Sequence, residues 1–215
     1  ELCRSEPAKP CCARAEAYGV LLYCNTFTAR EVRIITECGD FAKRLPKLFR
    51  RAFGLKFDRL PKKSEQKYIF QITNADKLAG IIDAFGFDPR QSPVLHINFG
   101  LLEEDCCRAA FLRGAFLAGG SVTDPAKRYH LELETSHAQA SRELMALLGE
   151  MGRRPKQTAR GGYQVIYFKS SVQIEDFLTI MGAPLSAMGL MNAKAEKELR
   201  NGVNRRVNCE AANLD

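Results

Sequence analysis

The chain repeats itself at a fixed offset, and this duplication limits what it can fold into. The vicinal pairs Cys11-Cys12 and Cys106-Cys107 stand 95 residues apart, and so do Gly19 and Gly114. The order of elements repeats as well, reading alternating apolar residues as strands and a 3.6-residue period as helices. A helix over Arg14 to Asn25 is followed by a strand at Glu31 to Thr36, an amphipathic helix at Phe41 to Phe53, a β-rich stretch at Tyr68 to Thr73 and a short helix at Asp76 to Phe85. A helix over Cys107 to Gly120 is followed by Tyr129 to Thr135, Ala138 to Met151, Tyr163 to Lys169 and Ile174 to Met181 in the same roles. Leu131 and Leu133 share a strand face opposite His130, Glu132 and Glu134, while Leu144, Leu147, Leu148 and Met151 stripe one side of a helix. Repeats of about 20 to 50 residues make solenoids, whereas one long duplication predicts two halves about a pseudo-twofold axis.

Within each half the helix behind the cysteines carries a nine-residue word. The second copy reads Leu112, Arg113, Gly114, Ala115, Phe116, Leu117, Ala118, Gly119, Gly120; the first reads Ala17, Tyr18, Gly19, Val20, Leu21, Leu22, Tyr23, Cys24, Asn25. Both resemble LAGLIDADG, the motif of a family of DNA-cleaving homing endonucleases. The first copy is the poorer match, with Tyr18 and Tyr23 where small residues let paired helices approach. The resemblance implies a mixed α/β (α+β) fold of two αββαββα halves, with the motif helices paired at the centre and packed through Gly19, Gly114 and Ala118. In the enzymes so resembled, the eighth residue of each copy is a carboxylate, and the two together hold divalent metal against the scissile phosphates. Here those places are Cys24 and Gly119. A hard cation needs oxygen ligands, so a scaffold without its catalytic acids is implied.

The run from Glu198 to Asp215, ELRNGVNRRVNCEAANLD, narrows the resemblance, as do the stretch Cys106 to Val122 and the opening Glu6-Pro7, Lys9-Pro10-Cys11-Cys12. These closely resemble the WhiA family, bacterial transcriptional regulators of sporulation and cell division. The likeness implies a degenerate LAGLIDADG domain, joined in such proteins to a DNA-binding helix-turn-helix domain. The expected organisation is a first half over 1–98, a second over 99–192 and, from 193 to 215, the start of a polar connector to a domain outside this chain.

Charge bears on the partner. The chain has 32 Lys and Arg against 25 Asp and Glu, a formal +7 that suits nucleic acid. Between Asp40 and Lys67 lie ten basic residues and three acidic ones, which accounts for the whole excess. Lys43, Arg44, Lys47, Arg50 and Arg51 fall on one side of a helix whose other side is Phe41, Leu45, Leu48, Phe49 and Ala52. A solvated helix face is the bland alternative. Further DNA-contact candidates are Lys62 and Lys63 beyond that helix, Arg30 and Arg33 on the first-half strand, and Arg153, Arg154, Lys156 and Arg160 in the second half. Glu132 and Glu134 oppose DNA contact if their strand face meets phosphates.

The eight cysteines show no C-x-x-C spacing, and a vicinal pair is an awkward source of tetrahedral ligands, so no metal and no cofactor are expected. Buried small residues at equivalent helix starts account for them, as free thiols in a reducing compartment. No apolar run approaches the ~18 residues of a membrane span and no signal peptide opens the chain, so a cytoplasmic, nucleoid-associated bacterial protein is expected. Its ends, Glu1 and Asp215, look cut from a longer protein. The favoured reading is a non-enzymatic DNA-associated module. The rivals are a protein-binding platform, for example for a sigma factor, and an endonuclease using replacement acids, of which Asp124 is the nearest after the second motif.

Overall fold

The computed structural model describes residues 1–62, 66–87 and 94–212, with the side chains of 210 and 211 left out. Its first half runs α1 (Pro10–Tyr23), β1 (Thr26–Phe27), β2 (Val32–Thr36), α2 (Gly39–Phe53), β3 (Tyr68–Ile72) and α3 (Ala75–Ala84). The second runs α4 (Asp105–Gly119), β4 (Gly120–Val122), β5 (Leu131–Thr135), α5 (Ala138–Glu150), β6 (Lys156–Arg160), β7 (Tyr163–Phe168) and α6 (Ser171–Met181), and α7 (Pro184–Ala212) follows. The second half thus has the expected αββαββα order. In the first, a single antiparallel bridge from Arg59 to Gln71 stands where β6 has its counterpart. Pro61 has no N–H to extend that pairing.

The two motif helices are buried on nearly all sides, as the core of a two-layer fold requires. They lie parallel, and glycines bring them together. A Cβ on Gly19 would fall 2.1 Å from the Phe111 carbonyl oxygen, and one on Gly114 would fall 2.0 Å from that of Glu16. Residues 16 and 111 are themselves 95 apart, so the two contacts are mates across the pseudo-twofold axis. Ala118, half-buried, sits at the C-terminal end of this seam. Tyr18 does not obstruct the approach. It turns toward the first-half core, stacks on Phe85 at 4.1 Å between ring centres, donates its hydroxyl to His96 O and accepts from Asn98 N.

Each half wraps a sheet around this pair. The first sheet has order β1-β2-β3 and the second β4-β5-β7-β6, all antiparallel. Val32, Ile34, Phe70 and Ile72 of the first sheet, and Leu131, Leu133, Ile166 and Phe168 of the second, face one continuous core. Outward-facing residues alternate with them. On the first sheet these include Thr26, Arg33, Ile35, Ile69 and Gln71; on the second, Glu132, Glu134, Lys156, Thr158, Arg160 and Tyr167. The polar tract expected as a connector is helical through Ala212, its Ala, Lys, Glu, Leu and Arg being good helix formers. Among the described residues no helix is long and apolar enough to cross a membrane.

Candidate nucleic-acid interface

The C-terminal end of the helix pair is where the motif places catalytic acids, and both sheets start there. A cleft of about 300 Å³ lies between Tyr23, Cys24, Asn25, Gly119, Ser121, Glu132, Glu134 and Tyr163. Cys24 caps α1, is buried, and lies 3.2 Å from each of two backbone carbonyls, Leu21 O and Thr26 O. Burial pushes its thiol pKa up to about 12, so it stays neutral. At the equivalent place Gly119 has no room for any side chain. A Cβ there would sit 2.4 Å from Glu134 O and 2.8 Å from Tyr23 O, both backbone atoms.

Two carboxylates do reach the cleft, from β5 rather than from the helices. Their charge is partly offset: Arg160 Nη2 donates to Glu132 Oε1 at 3.0 Å and to Glu134 Oε2 at 2.8 Å, and His130 Nε2 lies 3.0 Å from Glu132 Oε2. Burial would raise the Glu132 pKa, but the hydrogen bonds with His130 and Arg160 outweigh it and hold the carboxyl below its usual range. Sequence alternation put Glu132 and Glu134 on one strand face but could not place Arg160 against them. Asp124 lies elsewhere, beside Leu2 and Leu190, and accepts the Ala126 N–H.

The remaining candidates scatter. Arg33 is central on the outer face of the first sheet, opposite Thr26 and Gln71, and its buried Nε has no hydrogen-bond partner. Arg30 is exposed at the β1–β2 turn and Lys62 beyond the Arg59 bridge; Lys63 lies outside the described residues. On the second sheet Lys156 shares the outer face with Arg160, whereas Arg160 is held by two acids and Arg153 by Asp176. Arg154 is exposed just before β6.

The basic helix α2 packs its apolar side, Phe41, Leu45, Leu48 and Phe49, into the core beneath the first sheet. Lys43, Lys47, Arg50 and Arg51 are therefore exposed on the side of that half away from the sheet's outer face. Lys43 also makes a loose pair with Asp40 at 3.6 Å. Arg44 departs from the expected stripe. It is buried, and grips Glu16 in two bonds, Nε to Oε1 at 2.5 Å and Nη2 to Oε2 at 2.8 Å, with Nη1 on Cys3 O. Arg113 adds a third contact to Glu16 at 3.3 Å and donates to Met181 O. Arg44 is thus a structural residue, unavailable to phosphates, and the charge that claims it lies 28 residues away on α1.

A parallel glycine-seamed helix pair, flanked by two antiparallel sheets that open at its C-terminal end, defines a LAGLIDADG-like fold. The crystal structure of homing endonuclease I-DmoI in complex with DNA and Mn superposes with a TM-score of 0.56 at 14% identity, covering 81% of this chain and 98% of that one. Full-length DUF199/WhiA from Thermatoga maritima gives 0.72 at 19% identity, covering 100% and 70%. Residues 108–200 match the model of the WhiA LAGLIDADG-like domain. Probable cell division protein WhiA of Ruminiclostridium cellulolyticum is 38% identical over all of this chain and 72% of its own length, and that of Alkaliphilus metalliredigens is 33% identical with the same coverage. The chain belongs to the WhiA family.

Proposed function

We propose that this chain is a non-catalytic, DNA-associated module of a bacterial transcriptional regulator acting in cell division and sporulation, working in the cytoplasm at the nucleoid. The observation that carries the non-catalytic reading is the pair of former acid positions: a neutral buried thiol at Cys24 and a glycine with no space for a side chain at Gly119. Nothing there supplies the oxygen ligands with which a metal-dependent nuclease activates water. Glu132 and Glu134, the carboxylates nearest that end, are engaged by Arg160 and do not replace them.

DNA contact falls to the exposed cations of α2. Lys47, Arg50 and Arg51, with Lys43 beside them, form a patch that neutralises phosphates without reading bases, while the sheet surfaces mix acids with bases. The division of the chain into halves over 1–98 and 99–192, with a connector beginning near 193, fits this role. On the far part of α7, Leu199, Val203 and Val207 form an exposed apolar stripe at four-residue spacing, suited to packing against a further domain. Base-specific recognition then belongs to a helix-turn-helix beyond Asp215, as the family resemblance implies.

Plasmid nicking and salt-dependent DNA binding test this together. The chain should leave supercoiled plasmid intact with magnesium or manganese, and its log-log affinity slope should flatten by about one unit for each phosphate contact removed. Changing Lys43, Lys47, Arg50 and Arg51 to Ala should weaken binding and flatten the slope; changing Arg33 and Lys156 should do little. The reverse ranking places DNA on the sheets. Salt-independent retention of a protein partner, with no DNA binding, would favour a docking platform for a sigma factor.

A further inference from the structure

At the other end of the helix pair, the two vicinal cysteine pairs become one cluster. Cys11 and Cys12 occupy the first turn of α1, and Cys106 and Cys107 the first turn of α4 at equivalent positions. The sulfur atoms of Cys11, Cys12 and Cys107 all lie within 4.8 Å of one another, and Cys106, next to Cys107 in the first turn of α4, stands outside that trio. Taken one pair at a time, vicinal cysteines are poor tetrahedral ligands. Across a twofold axis the difficulty disappears, because each helix contributes two sulfurs that diverge by about 100° around its own axis and converge on its partner's.

We propose that these four thiols form a structural binding site for a soft, tetrahedral metal ion of the zinc class, clamping the N-terminal ends of the two motif helices together. A Zn–S bond is about 2.3 Å, which puts tetrahedral sulfurs about 3.8 Å apart. The three closest sulfurs need to contract by about 1 Å at most from their present spacing. Cys106 is outside the trio and would have to turn about its Cα–Cβ bond to become the fourth ligand. Entry is open, since Cys11 is exposed while Cys12 and Cys107 are buried. Charge also favours thiolates here, because both helices present their positive N-terminal ends to the cluster. On binding, thiol protons leave to solvent as metal–sulfur bonds form.

Purification under anaerobic, reducing conditions followed by zinc loading and gel filtration should leave about one zinc per chain by elemental analysis. Cobalt(II) in its place should give thiolate-to-metal charge-transfer absorption and the intense visible bands of a tetrahedral site. Cys11→Ser and Cys106→Ser, each near the surface, should lose most of the bound metal and the metal-dependent rise in Tm while keeping the helical circular dichroism of the parent. Cys38→Ser, outside the cluster, should keep both. Zinc below about one tenth of an equivalent in folded, reduced protein, without a cobalt charge-transfer band, overturns the proposal. So does full metal retention by both serine variants, or a disulfide among these cysteines in the anaerobically reduced protein.

Discussion

The two ends of the α1–α4 pair are built from equivalent positions and have opposite chemistry. At the C-terminal end, where the LAGLIDADG motif calls for two carboxylates, there is one inert thiol and one glycine pressed against two carbonyl oxygens. At the N-terminal end, the thiols of Cys11, Cys12 and Cys107 gather where two helix N-termini meet, with Cys106 beside them on α4. Helix C-termini carry partial negative charge that repels carboxylates unless a cation is present, whereas N-termini favour anions. At Gly119 the Glu134 and Tyr23 carbonyl oxygens leave no space even for a Cβ. The middle of the pair is common to both ends, and there Glu16 is held by Arg44 and Arg113.

Restoring an acid at the closed end should have the largest effect. Gly119→Asp, alone or with Cys24→Asp, forces a Cβ into the Glu134 and Tyr23 carbonyls and places a charge among acceptors, so a loss of about 3 kcal/mol or more is expected. Thermal denaturation would show it, and plasmid should remain uncut. Efficient nicking by a stably folded double variant would mean that the catalytic end is still open.

Next comes the shared centre. Glu16→Gln leaves Arg44 and Arg113 buried without their counter-charge, and breaking such a site costs about 3 to 5 kcal/mol. Urea unfolding should show a lower midpoint with an unchanged slope. A near-neutral result would indicate that water reaches the guanidinium groups.

The sheet surface at the closed end offers a smaller effect. Glu132→Gln with Glu134→Gln removes two negative charges and releases Arg160. If DNA approaches that surface, affinity at low salt should rise several-fold and the salt slope should steepen by about one unit. No change in either would assign DNA binding to α2 alone.

Smallest is a hydroxyl. Tyr23, equivalent to Ala118 in the other half, buries its OH with no hydrogen-bond partner. Tyr23→Phe should therefore leave stability unchanged or raise it by about 1 kcal/mol. A clear loss would show that the hydroxyl is partnered, for example by water in the adjoining cleft.

Much of this molecule was legible in order of residues alone. The 95-residue offset fixed the two halves, the central pairing and the glycines at the seam, because a helix cannot approach another closely unless small residues recur at the crossing. Core strands β2, β5 and β7 showed their alternation, and α2 its two faces. Strand β6 did not, since all five of its residues are exposed and it carries no apolar period. The helical course of α7 through the stretch from 193, expected as a connector, was hidden for a similar reason: a polar composition reads as a connector unless propensity is weighed.

What the sequence determined by itself was the duplication at a fixed offset and which residues stand at the eighth motif places, because these depend on local pattern and spacing; the fold and the family followed from the resemblance those motifs and the C-terminal run carry. Only the tertiary structure decided which charges are spoken for and which ligands meet. Arg44 looks like its neighbours on α2 until Glu16 is placed 28 residues upstream; Arg160 looks like a phosphate contact until β5 brings two glutamates beneath it. The cysteines make the same point in reverse. Each vicinal pair is a poor metal site, and the pairing of helices unites residues 95 positions apart, because ligand geometry is a property of distances in space that spacing along the chain does not contain.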